Sequence, residues 1–222
     1  MCGRFTLSTS PEELVSAFRL PETPAIQPRY NVAPSQLVAV IGLKPDGRTR
    51  GLARLRWGFV PYWANDPDSG PKPINARAET VATKPPFDES FREKRCLIPA
   101  DGFFEWAAVG RKKVAHHFRL KGGGPMAFAG LWDVWRGKGK PTVLSCAIIT
   151  VTANELVRPF HERMPAVLRP EDYDLWLDNA TPESELLGAL SPLPVEMMDV
   201  VRVGPAVNKV SNDSIECVTP AA

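Results

Sequence analysis

No stretch of this 222-residue chain is long and apolar enough to suggest a membrane span. The longest such run, Val143 to Val151, is broken by Ser145 and Thr150, and a helix needs about 20 apolar residues to cross a bilayer. The opening Met1-Cys2-Gly3-Arg4 carries no apolar signal core, so the expectation is a soluble cytoplasmic protein without a membrane partner. No C-x-x-C pair occurs among Cys2, Cys96, Cys146 and Cys217, and His116, His117 and His161 add no finger-like spacing. A structural zinc is therefore not expected, and nothing in the pattern asks for another metal or a cofactor. Cys96 and Cys146 lie in apolar runs and read as small buried thiols; Cys2 does not. Internal repeats and core-splitting linkers are also missing, so one domain over residues 1–222 is expected.

What is present is ordinary globular composition: 44% apolar and 23% charged residues, with Pro 23 and Gly 16. That much apolar surface excludes disorder as the main character. Net charge is only +2, yet residues 170–199 hold Glu171, Asp172, Asp174, Asp178, Glu183, Glu185, Glu196 and Asp199 and no Lys or Arg. The remainder carries a basic excess that could face a polyanion, unless the acidic segment is simply a solvated helix pair. Ser10-Pro11-Glu12-Glu13 reads as a capping box opening a short helix. A second helix is expected over 170–178, and a third after Thr181-Pro182 with Thr181 as its cap. Short β-like runs dominate between them: Leu37–Leu43, Leu55–Val60, Lys113–Leu120, Met126–Trp135, Val143–Thr152 and later Val195–Val203. The fold class is α+β with a predominantly antiparallel β core and a few short peripheral helices.

Removal of Met1 would leave Cys2 with a free amine and a thiol on adjacent carbons. At pH 7 roughly one α-amine in seven is unprotonated, against about one lysine amine in 2,500. Such an amine attacks an aldehyde to give a Schiff base. The neighbouring sulfur can then close onto the imine carbon as a five-membered thiazolidine, an intramolecular step of very high effective molarity. The plainer alternative is that Cys2 is only the second residue of a tail. Three segments favour chemistry. Residues 74–80 are polar and follow a Pro-rich loop. Residues 100–106 put Glu105 among aromatics, where desolvation raises a carboxyl pKa. Residues 159–165 hold His161 and Arg163 between prolines. His116 and His117 sit in a strand, face opposite sides, and read as structural.

In order along the chain stand Met1-Cys-Gly-Arg-Phe5, Arg29-Tyr-Asn-Val-Ala-Pro34, Trp57-Gly-Phe-Val-Pro61, Asn75-Ala-Arg-Ala-Glu79, Cys96 to Trp106, Ala129-Gly-Leu-Trp132, His161-Glu-Arg-Met-Pro165 and Pro205-Ala-Val-Asn208. Together these resemble the SRAP family, the SOS response-associated peptidases understood as abasic-site processing proteins. The resemblance runs from Cys2 to about Asn208.

It implies a barrel- or sandwich-like fold and a covalent sensor of abasic sites in single-stranded DNA, monomeric and nucleoid-associated in a bacterium. Cys2 would be the nucleophile, forming a thiazolidine crosslink after loss of Met1. Asn75 would position the amine and the opened sugar, Glu105 would serve as acid and base, and His161 would move protons. Arg4, Arg77 and Arg163 would contact phosphates, and Trp57 and Trp63 would supply an apolar wedge beside the lesion. Phe104 departs from the Tyr that relatives often carry. With so little net charge, a narrow basic cleft is expected rather than general DNA coating.

Three rivals keep other chemistry in play. An N-terminal-nucleophile amidohydrolase would also mature to a terminal Cys, but leaves residues 75–79 and 101–106 without a role. A cysteine peptidase would use Cys2, His161 and Asn75 as a papain-like trio. A non-catalytic single-strand binding module would not need Cys2 at all.

Overall fold

The computed structural model describes residues 2–221; the expected loss of Met1 concerns a residue outside that range. Strand β1 (Phe5–Leu7) leads into helix α1 (Pro11–Phe18), then β2 (Arg29–Val32), β3 (Leu37–Leu43), β4 (Arg50–Trp57) and β5 (Asn75–Arg77). Helix α2 (Asp88–Glu93) precedes β6 (Arg95–Ala100), β7 (Gly102–Val109), β8 (Lys112–Leu120), β9 (Met126–Trp135) and β10 (Val143–Thr152). The chain ends with β11 (Arg163–Pro165), β12 (Val167–Leu168), α3 (Tyr173–Leu177), α4 (Glu183–Gly188) and β13 (Met198–Arg202).

Local signals explain most of these elements. Ser10 accepts from the Glu13 amide while the Glu13 carboxylate reaches back to Ser10, a closed capping box. The α4 start differs from expectation. Pro182 occupies the cap with no side-chain bond, and the Thr181 hydroxyl instead donates to the Leu175 carbonyl at 2.8 Å. The run 55–60 also differs: the strand begins at Arg50 and stops at Trp57, because Gly58 has φ +144°, a conformation L side chains rarely adopt. Val195–Met197 forms a 3-10 turn after Pro194, so the last strand starts only at Met198.

Two sheets result. A five-stranded antiparallel sheet has the order β13-β8-β7-β1-β2. The second runs β11-β10-β4-β3-β6-β9-β12, and an added β10–β9 pairing closes β10, β4, β3, β6 and β9 into a circuit. Only β4 and β5 run parallel to β10. The sheets meet through buried rings: Phe5 lies 5.2 Å from Trp57 and 5.8 Å from Phe128, and Phe103 lies 6.3 Å from Phe128. These edge-on contacts join the apolar faces of both sheets into one main core. A smaller cluster of Phe104, Ala115, Val203, Val207 and Cys217 lies apart from it. The four cysteines are all buried free thiols. His117 is buried as well, with Nε2 3.1 Å from the Thr6 hydroxyl, and burial lowers its pKa to about 4.

Asn31, fully buried in β2, ties the C-terminal segment to this frame. Its Nδ2 faces the carbonyls of Val207, Lys209 and Asn212 at 3.2, 3.1 and 2.7 Å, while its Oδ1 accepts from Arg4 at 2.6 Å. Asp213 returns the contact by accepting from the Asn31 amide at 2.9 Å. Substituting Asn31→Ala strands several buried polar groups, each worth about 1–3 kcal/mol when left unpaired. A loss of about 2–4 kcal/mol in urea unfolding is expected, with hydrogen exchange of residues 205–213 rising first.

Candidate active site

The pairing of β1 with β7 decides where Cys2 lies. Phe5 is opposite Phe103, and the Phe104 amide donates to the Arg4 carbonyl at 3.0 Å. This brings the N-terminal region against β7, close enough for the Glu105 carboxylate to act on the Cys2 thiol. Gly102, at the start of β7, is required there: a Cβ would collide with the Phe118 carbonyl and the His117 ring. Cys2 is fully buried. Its thiol faces the Arg4 carbonyl at 3.9 Å, and burial, reinforced by the nearby Glu105 carboxylate, pushes its pKa far up.

Asn75 arrives from the other sheet. It heads β5, which lies parallel to β10 with Asn75 opposite Ile148. Its Nδ2 donates to the Cys2 carbonyl at 3.0 Å. Its buried Oδ1 has no hydrogen-bond donor among the described residues, which leaves an acceptor aimed at the same small space. Two elements therefore position Cys2: β7 anchors the neighbouring Arg4 backbone, and β5 holds the Cys2 carbonyl through a side-chain amide.

Glu105 is 6% exposed, and burial raises its carboxyl pKa from an ordinary 4.5 to about 7. A group poised there can give and take a proton near neutrality. His161 lies in the turn before β11, where its Nδ1 accepts from the Arg163 amide at 2.9 Å and burial lowers its pKa. Among the described residues no three His, Cys, Asp or Glu side chains converge as a metal group would require.

The expected DNA-contact residues divide. Arg77 is exposed at the end of β5, and Trp63 is 57% exposed. Trp57 requires a correction. It is fully buried against Phe5, with Nε1 donating to the Ile74 carbonyl at 2.9 Å. It has no face to offer a base, and instead fixes the residue before Asn75. Arg163 is committed to a carboxylate, its Nη1 and Nη2 meeting Glu79 at 2.5 and 2.9 Å. Arg4 donates to Asn31 and, at 2.8 Å, to the Val207 carbonyl, with its guanidinium carbon 5.8 Å from the centre of the Trp106 ring. The Trp106 indole donates to Asn208 at 2.7 Å. The Arg29–Pro34 and Pro205–Asn208 segments thus meet around Arg4 and Trp106. Neither Asn31 nor Asn208 stood out as a functional residue in the sequence, because each is one polar residue in a segment whose spatial partner is distant.

Fold and site together define a two-sheet α+β protein that presents an N-terminal-region cysteine to a buried carboxyl and an amide. The chain belongs to the family described as SOS response associated peptidase (SRAP), whose profile matches residues 1–210. It is 39% identical over 224 residues to the abasic site processing protein YoqW of Bacillus subtilis (strain 168), covering 98% of this chain and 99% of that one. The abasic site processing protein YedK of Escherichia coli (strain K12) is 30% identical over 230 residues, with 99% and 100% covered. A crystal structure from Bacteroides thetaiotaomicron covers all of both chains with a TM-score of 0.88 at 24% identity, a likeness of fold alone. A phage-related protein from Bordetella bronchiseptica gives 0.74 at 29% identity, covering 91% of this chain and 94% of its own.

The raised Glu105 carboxyl has a sign that thermal unfolding can test. Its protonated form favours the folded state fully below pH 4.5, and that advantage is lost as pH rises through about 7. Glu105→Gln removes the titration. Its stability relative to the parent protein should therefore rise with pH across this window, by at most about 3 kcal/mol. A difference that stays flat with pH shows that Glu105 ionises normally.

Proposed function

We propose that the protein senses abasic sites in single-stranded DNA and shields them by a covalent thiazolidine crosslink through Cys2, after removal of Met1. The observation that carries this reading is the setting of Cys2: Asn75 holds its carbonyl at 3.0 Å, and a carboxyl with a pKa of about 7, Glu105, lies close enough to act on its thiol. The names of the 39%- and 30%-identical relatives point to the same lesion.

The steps follow from the groups present. The α-amine of Cys2 adds to the ring-opened sugar aldehyde, forming a C–N bond and a carbinolamine. Protonated Glu105 gives its proton to the carbinolamine hydroxyl, which leaves as water while the nitrogen lone pair forms the iminium. The Cys2 sulfur then bonds to that carbon, the C=N π electrons return to nitrogen, and the thiol proton passes to the Glu105 carboxylate. Asn75 orients the amine and sugar, and His161 moves protons during ring opening or reversal. Exposed Arg77 carries the phosphate contact, and exposed Trp63 stacks on a neighbouring base. No metal or cofactor enters these steps, and the protein acts as a monomer in the cytoplasm, at the nucleoid in a bacterium.

A thiolate-first peptidase fits less well. Such enzymes lower the thiol pKa through a neighbouring imidazolium, whereas burial here drives the Cys2 thiol the other way. Amine-first chemistry needs no thiolate in its opening step.

Mature protein mixed with single-stranded DNA bearing one abasic site should give a band that survives denaturation. Cys2→Ala should abolish it, as should one residue added before Cys2. Glu105→Gln should slow its appearance by about 100-fold or more. Full crosslinking by the extended protein would exclude the thiazolidine, and a parental rate in Glu105→Gln would remove that carboxyl from the mechanism.

A further inference from the structure

Directly opposite Glu105 on the neighbouring strand stands His116. Antiparallel partners project to the same side of a sheet with Cβ atoms about 5 Å apart, so this imidazole shares the space of the carboxyl. Phe118 and Phe103, two positions along, form the next pair on that side. Phe160 packs on the β8 side of this face, its ring centroid 4.6 Å from His116 and 5.1 Å from Phe118. His161 follows it in the chain. The half-buried His116 ring is therefore held between the strand of Glu105 and the turn of His161.

The two imidazoles are held in opposite tautomers. A backbone carbonyl can only accept, so His116 Nδ1, 3.1 Å from the Val114 carbonyl, carries the hydrogen and leaves Nε2 with a lone pair. A backbone amide can only donate, so His161 Nδ1 carries the lone pair and its Nε2 the hydrogen. One ring offers an acceptor and the other a donor. The charged or titratable residues paired with His116 on the flanking strands are Glu105 on β7 and Arg202 on β13, and His161 follows the covering Phe160 in the chain.

We propose that His116 is a positioning residue that acts through Glu105, relaying protons between bulk water and that buried carboxyl in each crosslinking cycle. After Glu105 has given its proton to the departing hydroxyl, His116 takes a proton from water at Nε2 and returns it to the carboxylate. When Glu105 receives the thiol proton, the same route runs outward. No bond to carbon changes and no electron is exchanged. This inference rests on the proposed crosslinking reaction.

The test is His116→Phe, which keeps a ring against Phe160 and removes the titrating nitrogen. Crosslinking to abasic single-stranded DNA is timed from about pH 6 to pH 9, with and without added imidazole. The expected result is a rate about tenfold lower, an unchanged final yield, a flattened pH profile and recovery of rate by imidazole. A parental rate and profile, or a uniform loss that imidazole does not restore, overturns the relay. Nitrogen-15 histidine spectra of the unmodified protein without DNA give a second reading independent of the variant's folding. They should show Nδ1–H at His116 and Nε2–H at His161, and the reverse tautomer at His116 overturns the proposal. If the unmodified protein forms no crosslink at all, the parent reaction falls and takes the relay with it. If it does and His116→Phe matches it, the relay alone falls.

Discussion

Strand β1 is an interior strand, with β7 hydrogen-bonded on one side and β2 on the other. Segments close to a chain terminus are usually among the least ordered parts of a protein. Here the backbone from Arg4 to Leu7 is pinned by two ladders, and Phe5 is packed into the contact between the sheets. Everything chemical about Cys2 follows from that constraint. Its burial, its proximity to Glu105 and the reach of Asn75 all disappear if β1 leaves the sheet.

The same constraint explains why so many distant segments carry polar residues with no direct chemical task. Interior placement half-buries Arg4, whose guanidinium needs acceptors; Asn31 and the Val207 carbonyl provide them. Asn31 in turn draws in the segment up to Asn212, and Asp213 locks it through backbone amides of β2. Trp106, beside the site, is held by Asn208 from that same segment. On the opposite flank Trp57 fixes Ile74, and the Arg163–Glu79 pair braces β11 against the turn after β5. The site is a meeting point of both sheets, so its rigidity derives from the whole core.

Much of this was legible in the sequence. Strands at 37–43, 126–135 and 143–152 matched their apolar runs residue for residue, because short, mostly apolar runs rich in β-branched and aromatic residues leave few alternatives. Glu105 among aromatics pointed to a desolvated carboxyl, which is where the fold puts it. Other features were not legible for a physical reason. A tryptophan beside Gly58 looks the same in sequence whether it faces solvent or core, so Trp57 was misassigned while Trp63 is exposed. Arg163 looked available for a phosphate because its partner, Glu79, lies 84 positions away. The circuit through β10 and β4 needs a parallel pairing between strands far apart in sequence, which no local pattern encodes.

The electrostatics of the site favour a particular order of events. Burial holds the thiol neutral and raises the carboxyl into the neutral pH range, where its protonated form is well populated. A neutral thiol is a poor first attacker, and a neutral carboxyl is a competent acid. An amine that has lost its proton suffers no such handicap, because its reactive form is already uncharged. A site of this polarity therefore suits amine attack first, acid-assisted loss of water second and sulfur closure last. In the final step of the proposed reaction the iminium would offer the positive charge that a neutral sulfur needs, and the carboxylate left by the preceding step would take the thiol proton. Each ionised state is then formed only when its counterpart is present, which is the arrangement that a low-dielectric pocket permits at least cost.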